Sequence, residues 1–153
     1  MNRRACIAAI DVGTTSVKVC LFTPQLKLLS VSVQEYMLHT KDNFVEADAE
    51  QYLRAIQNGF AEVLSTTQNY EVAAIGLSTQ GETLTLVDAQ GEPLRPFIVW
   101  LDSRADNEAS ILSKEISAQR FYCETGLPAI TGALPIAKLM WLKSNEPELF
   151  NRA

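Results

Sequence analysis

The chain has 153 residues, a length typical of one domain, with 47% hydrophobic and 20% charged residues, which excludes disordered, collagenous and low-complexity classes. Its 13 Lys and Arg against 18 Asp and Glu give a net charge of −5. That argues against a large basic nucleic-acid footprint but leaves room for a local phosphate site built from backbone N–H groups. No segment approaches the ~20 apolar residues of a membrane span, and the run from Ala5 to Ile10 behind Arg3 and Arg4 is too short for the core of a signal peptide.

That run, Ala5-Cys6-Ile7-Ala8-Ala9-Ile10, predicts a strand covered on both faces. After Asp11–Ser16, Val17–Phe22 predicts a second strand, and the short link makes the pair an antiparallel hairpin. Beyond a turn at Thr23-Pro24-Gln25, Leu29, Val31 and Val33 alternate with Ser30, Ser32 and Gln34, the pattern of a strand with one wet face. A polar loop is expected from His39 to Ala47. Asp48 suits a helix N-cap, with Gln51 at the capping-box position. Leu53, Ile56, Phe60, Val63 and Leu64 then recur at helical spacing, so residues 49–66 read as an amphipathic helix. Val72–Leu77 reads as a buried strand, Thr83–Val87 as an extended run closed by a turn at Asp88–Gly91, and Phe97–Leu101 as a short extended run. From Ser103, a candidate cap, the pattern turns helical with Ile111, Leu112 and Ile116 inward. Ile136, Leu139, Met140 and Leu142 give a further short helix. Strands, a helix, a strand and then helices, with no repeat or linker, make a mixed-sheet α/β domain over residues 1–153.

Several familiar sites are absent. The seven glycines form neither G-x-x-x-x-G-K-[ST] nor G-x-G-x-x-G, and a single histidine, His39, rules out H-E-x-x-H zinc sites and has no signalled partner for a hydrolytic triad. Cys6, Cys20 and Cys123 are too widely spaced for a disulfide framework; with no export signal, a reducing cytoplasm is the expected compartment. Two stretches carry candidate chemistry. In Asp11-Val12-Gly13-Thr14-Thr15-Ser16-Val17-Lys18, a carboxylate ends a buried strand, glycine permits a tight turn, and two hydroxyls stand beside exposed N–H groups. Such a hairpin can hold phosphate oxygens while the aspartate orients hydrated Mg²⁺; it also reads as a surface turn, with Lys18 directed to solvent. The second combines Gln80-Gly81-Glu82 with Trp100-Leu101-Asp102-Ser103-Arg104. Amide, carboxylate, indole and guanidinium are groups that bind polyols, and the triplet follows a strand, where ligand sites of α/β sheets lie. Equally, Asp102 and Arg104 could open a helix and Trp100 could sit in the core.

The order of these motifs resembles the FGGY carbohydrate kinases, within the actin-like ATPase superfamily. Ile7-Ala8-Ala9-Ile10-Asp11-Val12-Gly13-Thr14-Thr15-Ser16-Val17-Lys18 is similar to the family's opening phosphate motif. Phe44–Glu50 resembles the segment before its first helix, and Ile75–Gln80 and Val99–Ala105 resemble its substrate-side motifs. Thr125–Pro128, Lys138–Trp141 and Asn145–Glu148 resemble the stretch before its next core strand. There are departures. Where glycerol kinases carry arginine before the glutamate, this chain has Gly81. Xylulose kinases carry Met-His where it has Gly81-Glu82, and the usual turn after the second strand is replaced by Thr23-Pro24-Gln25.

The resemblance implies a ribonuclease H-like mixed sheet with flanking helices, the incomplete first domain of a two-domain enzyme using ATP and Mg²⁺ to phosphorylate a sugar or polyol. Asp11 would hold hydrated Mg²⁺; Gly13, Thr14, Thr15 and Lys18 would contact phosphates. Gln80, Gly81, Glu82, Trp100, Asp102 and Arg104 would line the sugar pocket, with Gly81 leaving room for an acceptor bulkier than glycerol. The family's second domain supplies the adenosine pocket and the aspartate base, so this chain alone is expected to be inactive and to self-associate through an open sheet edge at Val72–Leu77. A stand-alone sugar- or nucleotide-binding regulatory module is the alternative; a chaperone-like or cell-shape ATPase fits the Trp100–Arg104 motif less well. No nucleic-acid or membrane partner is expected.

Overall fold

A computed structural model describes residues 3–153; the first two residues of the expected domain lie outside the described residues. In chain order the strands and helices are β1 (Arg4–Val12), β2 (Ser16–Phe22), β3 (Leu28–Glu35), β4 (His39–Lys41), β5 (Phe44–Ala47), α1 (Ala49–Ser65), β6 (Tyr70–Thr79), β7 (Phe97–Ile98), α2 (Asp106–Glu115), α3 (Ala118–Thr125), α4 (Pro135–Asn145) and α5 (Pro147–Arg152). They form two compact units. One joins the chain up to Met37 with Asp48–Gln80; the other joins Leu38–Ala47 with Gly81–Ala153.

The first unit is a four-stranded mixed sheet in the order β3-β2-β1-β6, with β2 antiparallel to both neighbours and β6 parallel to β1. The ladder sets Ala8 opposite Leu21, Ile10 opposite Val19 and Val12 opposite Val17, and all six are buried. These residues share one face because strand side chains alternate. Helix α1 lies on that face. Asp48 caps it by accepting a bond from the Glu50 N–H at 3.0 Å. Gly59 allows the close approach: a Cβ there would stand 2.6 Å from Val19 Cγ2.

Several expectations are corrected in this unit. Strand β1 is covered on one face and half-buried at Ile7 and Ala9 on the other. In β3 the period of two holds but the faces are exchanged. Ser32 is 2% exposed, beneath α1, while Val33 is 52% exposed. The ladder decides this, since Ser32 pairs with the buried Val19, and its hydroxyl is satisfied by donating to Glu62 Oε2. Helix α1 buries Tyr52, Ala55, Gly59 and Val63, and leaves Leu53 and Leu64 exposed. Small residues win that face because the sheet lies close. Gln51 does not close a capping box; its amide oxygen accepts from the Met37 N–H. The strand expected to be buried at Val72–Leu77 is instead the edge strand β6, longer than predicted, with Ile75 61% exposed.

The second unit holds a three-stranded antiparallel sheet, β4-β5-β7, so the polar loop expected at His39–Ala47 is a hairpin. The run after Thr83 reaches β7 through the isolated bridge Leu84–Ile98 and folds back on its own loop through Val87–Pro93. The Asp88–Gly91 turn is present, with the Asp88 carboxylate accepting from the Gln90 and Glu92 N–H groups and Gly91 at φ +84°. Ser103 does not cap α2, which starts at Asp106 with no side-chain cap. Its buried residue is Ala109, while Ile111 is exposed. Helices α3 and α5 were not anticipated. The core gathers Leu86, Ile98 and Leu142 in one cluster and Ala105, Ala109 and Ala137 in another, with Trp141 against both.

Candidate active site

In the first unit the phosphate candidates sit together on the β1–β2 hairpin. Gly13 N–H donates to the Ser16 carbonyl at 2.9 Å, so Thr14 and Thr15 form its tip. A Cβ on Gly13 would come within 3.2 Å of that carbonyl, a tight fit that favours glycine. Asp11 and Lys18 face each other across the ladder and both are exposed. Opposite charges so placed stabilise a strand pair modestly. They lie on the sheet face away from α1. Gln80 reaches the same region, because its N–H donates to the Val12 carbonyl at 2.8 Å. Its amide donates to Tyr52 Oη at 2.9 Å. Tyr52 stacks on Tyr36 at 4.4 Å, and the Tyr36 hydroxyl donates to the Gly13 carbonyl. Burial, with Tyr52 and Asp11 nearby, pushes the Tyr36 hydroxyl's pKa well up, so it remains a donor. The two tyrosines, which the sequence reading did not single out, thus connect the Gln80 amide to the hairpin's backbone.

In the second unit Glu82 takes φ +61°, a left-handed conformation uncommon outside glycine. Gly81 has open space around its Cβ position. The Trp100 N–H donates to Thr83 Oγ1 at 3.1 Å, tying the triplet's neighbour to the tryptophan segment. Trp100 is 41% exposed, so it does not sit in the core. Asp102 and Arg104 are deeply buried, at 1% and 5% exposure. Asp102 Oδ2 accepts from Val45 N–H at 2.6 Å and Arg104 Nη2 at 2.8 Å, and its Oδ1 from the Arg104 N–H and Nε. The guanidinium also donates to Glu46 Oε1 at 2.7 Å. It lies 4.1 Å from the Phe44 ring centroid and 4.9 Å from Trp141. Burial works against its charge, but the bonds to Asp102 and Glu46 outweigh that and hold its pKa above the ordinary value. Arg95 joins the cluster through Glu46 at 2.5 Å and Glu146 at 3.5 Å; there burial prevails and lowers the pKa. Among the described residues no group of three or more His, Cys, Asp or Glu is placed to hold a metal ion.

The chain has counterparts among known proteins. The sequence model of the FGGY family of carbohydrate kinases, N-terminal domain, matches residues 6–153. The chain belongs to the FGGY carbohydrate kinases. Glycerol kinase 2 of Streptomyces coelicolor is 35% identical over 152 residues, which cover 96% of this chain and 29% of the relative. The xylulose kinase of Staphylococcus xylosus is 28% identical, covering 97% of this chain and 31% of the relative. Among solved structures, xylulose kinase from Rhodospirillum rubrum superposes with a TM-score of 0.90 at 26% identity, over 96% of this chain and 30% of that one. Gluconate kinase from Lactobacillus acidophilus gives 0.86 at 30% identity, over 97% and 30%. The chain therefore spans about three tenths of the length of these relatives. The FGGY kinases have the actin-like ATPase fold, and the mixed sheet with its flanking helices belongs to that fold's N-terminal domain.

Lys138, Glu46, Phe44 and Trp141 stood inside stretches that carry the FGGY resemblance, yet their part in holding the second unit was not foreseen. For Lys138 a signal existed. It lies four residues from both Leu134 and Leu142, on a helical stripe whose other members are buried. No helix among the described residues is long and apolar enough to cross a membrane.

Proposed function

We propose that the protein to which this chain belongs transfers the γ-phosphoryl group of ATP to a hydroxyl of a sugar or polyol. The observation that carries this reading is the exposed Asp11 carboxylate, at the end of a strand with one buried face and directly before a tight hairpin with two threonines at its tip. In this reading the Thr14 and Thr15 hydroxyls and the hairpin's backbone N–H groups bind phosphate oxygens, with Gly13 allowing close approach and Lys18 adding positive charge. Mg²⁺ suits a single carboxylate, since it is commonly held by one or two carboxylates, several waters and the substrate's phosphates. Bound there through water to Asp11, it would neutralise charge that develops on the transferring group.

On the acceptor side, Gln80 and Glu82 offer hydrogen bonds to hydroxyls and Trp100 an apolar face for the carbon chain. Gly81 leaves room beside them. The polar atoms of Asp102 and Arg104 are already engaged with each other, Glu46 and the backbone, so these two residues hold the Trp100 segment in place. Phosphoryl transfer depends chiefly on positioning and charge stabilisation, and a base for the acceptor hydroxyl adds typically 10²–10⁴-fold. The reading assigns no such base to this chain, so the isolated 153 residues should not phosphorylate a sugar at a meaningful rate. The test is Asp11→Ala in the complete reading frame containing this chain, assayed with ATP and glycerol, gluconate and xylulose. Undiminished phosphorylation would overturn the role given to Asp11.

A further inference from the structure

Lys138 is fully buried on α4. Its neighbours along the helix are apolar, and a charged group in such surroundings is costly unless it is bonded. Lys138 Nζ donates to the Glu82 carbonyl at 2.8 Å and to the Val99 carbonyl at 3.1 Å. Residues 84 and 98 pair as a bridge, exchanging N–H···O bonds of 3.2 and 2.8 Å. An antiparallel ladder would next exchange hydrogen bonds between residues 82 and 100, but the left-handed backbone at Glu82 breaks the extended geometry this requires. The ammonium bridges the two segments where they diverge, donating to one carbonyl on each; the Val99 carbonyl also accepts from the Asp102 N–H at 3.0 Å. Glu82 and Trp100 lie at that divergence.

We propose that Lys138 is a positioning residue for the acceptor, fixing the spacing between the Glu82 and Trp100 segments and thereby the acceptor's affinity, without touching it. This rests on the reading of Glu82 and Trp100 as acceptor-binding residues. An apolar residue would fill the same space but leave the half-buried Glu82 carbonyl without this donor, the Val99 carbonyl with the Asp102 N–H alone, and the left-handed turn unsupported. The charged groups that act on Lys138 are Asp102 and Glu82, which favour its proton, and Arg104, which opposes it. Burial prevails and pushes its pKa down to about 8.

The experiment uses the complete kinase, with glycerol, gluconate and xylulose as acceptors, and compares wild type, Lys138→Met, Lys138→Arg and Glu82→Gln. Lys138→Met should raise the acceptor KM at least tenfold while the KM for ATP stays within threefold, and Lys138→Arg, which keeps donors and charge, should recover part of that loss. An unchanged acceptor KM in Lys138→Met, or equal rises for acceptor and ATP, overturns the proposal. If Glu82→Gln weakens the acceptor and Lys138→Met does not, the proposal fails alone. If neither variant matters, or wild type phosphorylates none of the three acceptors, the acceptor reading fails and the proposal with it. Should the Lys138 variants not fold, the wild-type protein decides. Its acceptor KM should rise about threefold between pH 7 and 9.5 as the ammonium loses its proton, and a flat profile overturns the proposal.

Discussion

The β1–β2 hairpin and the Asp102–Arg104 cluster both come from conspicuous polar motifs, yet they use polarity in opposite ways. On the hairpin, Asp11, Thr15 and Lys18 are exposed, and structure is secured by backbone bonds such as that from Gly13 to Ser16. In the cluster the carboxylate of Asp102 accepts four bonds from Val45 and Arg104, and the guanidinium packs against two aromatic rings that meet edge to face. The side chains of Asp11, Thr15 and Lys18 face solvent, whereas those of Asp102 and Arg104 are taken up in holding the protein together. Removing a group should therefore cost function at the hairpin and stability at the cluster.

The largest test of that contrast is Asp102→Ala. It leaves Arg104 buried with Glu46 as its remaining carboxylate partner and strands the Val45 N–H. Breaking a buried pair by removing one partner typically costs about 3–5 kcal/mol. Chemical denaturation of the 153-residue chain should show a loss of that size; a loss under about 1 kcal/mol would mean that the cluster is not structural. Asp11→Ala should behave inversely. Its stability should stay within about 0.5 kcal/mol of wild type, as for other exposed substitutions. In the complete kinase, kcat should fall by about 100-fold or more, a loss like that from removing one preorganised charge-stabilising group.

A smaller effect concerns Lys138 and pH. Its pKa is lowered in the fold from 10.5 to about 8, so the unfolded chain binds more protons between those values. Stability attributable to this group therefore rises as pH increases from about 8 to 10.5, by at most about 3 kcal/mol at 1.36 kcal/mol per unit. Cys6, whose pKa burial raises, and Tyr36 act in the opposite direction at high pH, so the measurement is the difference between wild type and Lys138→Met across that range. A difference that does not change with pH would show that the buried amine is not titrating. The smallest effect is Gly81→Arg. The open space at its Cβ accommodates the side chain without cost to the fold. In the complete kinase it should weaken gluconate and xylulose about tenfold relative to glycerol. A wild type that prefers glycerol would defeat the argument from space.

Much of the fold was legible where a local rule is strong. The Asp48 cap, the β1–β2 hairpin and the Asp88–Gly91 turn each depend on a few adjacent residues and stand as read. What failed was the choice between faces. Ser32 goes inward and Val33 outward because the partners across the ladder, Val19 and Lys18, decide, and those lie outside the strand's own sequence. Helix α1 was misjudged by about one residue for a related reason: contact with Val19 selects Gly59 over the larger neighbours that make a periodic pattern visible. At the site, residue types pointed to phosphate and polyol chemistry, but not to which groups would be engaged with each other. The Asp102–Arg104 bonds span two residues, while those to Glu46 and Val45 span 58 and 57, beyond any local reading.

Edge strand β6 makes a further contrast with these closed interactions. It hydrogen-bonds to β1 within its sheet, and Ile75 and Leu77 are exposed along it with no charge between Val72 and Thr79. Unprotected edges of this kind pair with other chains. The isolated chain should self-associate by light scattering, and Leu77→Lys should suppress it; a monodisperse wild type would show the edge to be harmless.

The division of the second unit has a consequence for how the protein is made. Its β4–β5 hairpin leaves the ribosome well before the residues that complete it, since Val45 and Asp102 are 57 residues apart. At about 5–20 residues per second, that is a delay of roughly 3–11 s. During it Phe44, Val45 and Glu46 lack the partners that later cover them, while β1, β2, β3, α1 and β6 can already assemble once Gln80 has emerged. Synthesis would then yield the β3-β2-β1-β6 sheet while the β4–β5 hairpin still waits for its partners.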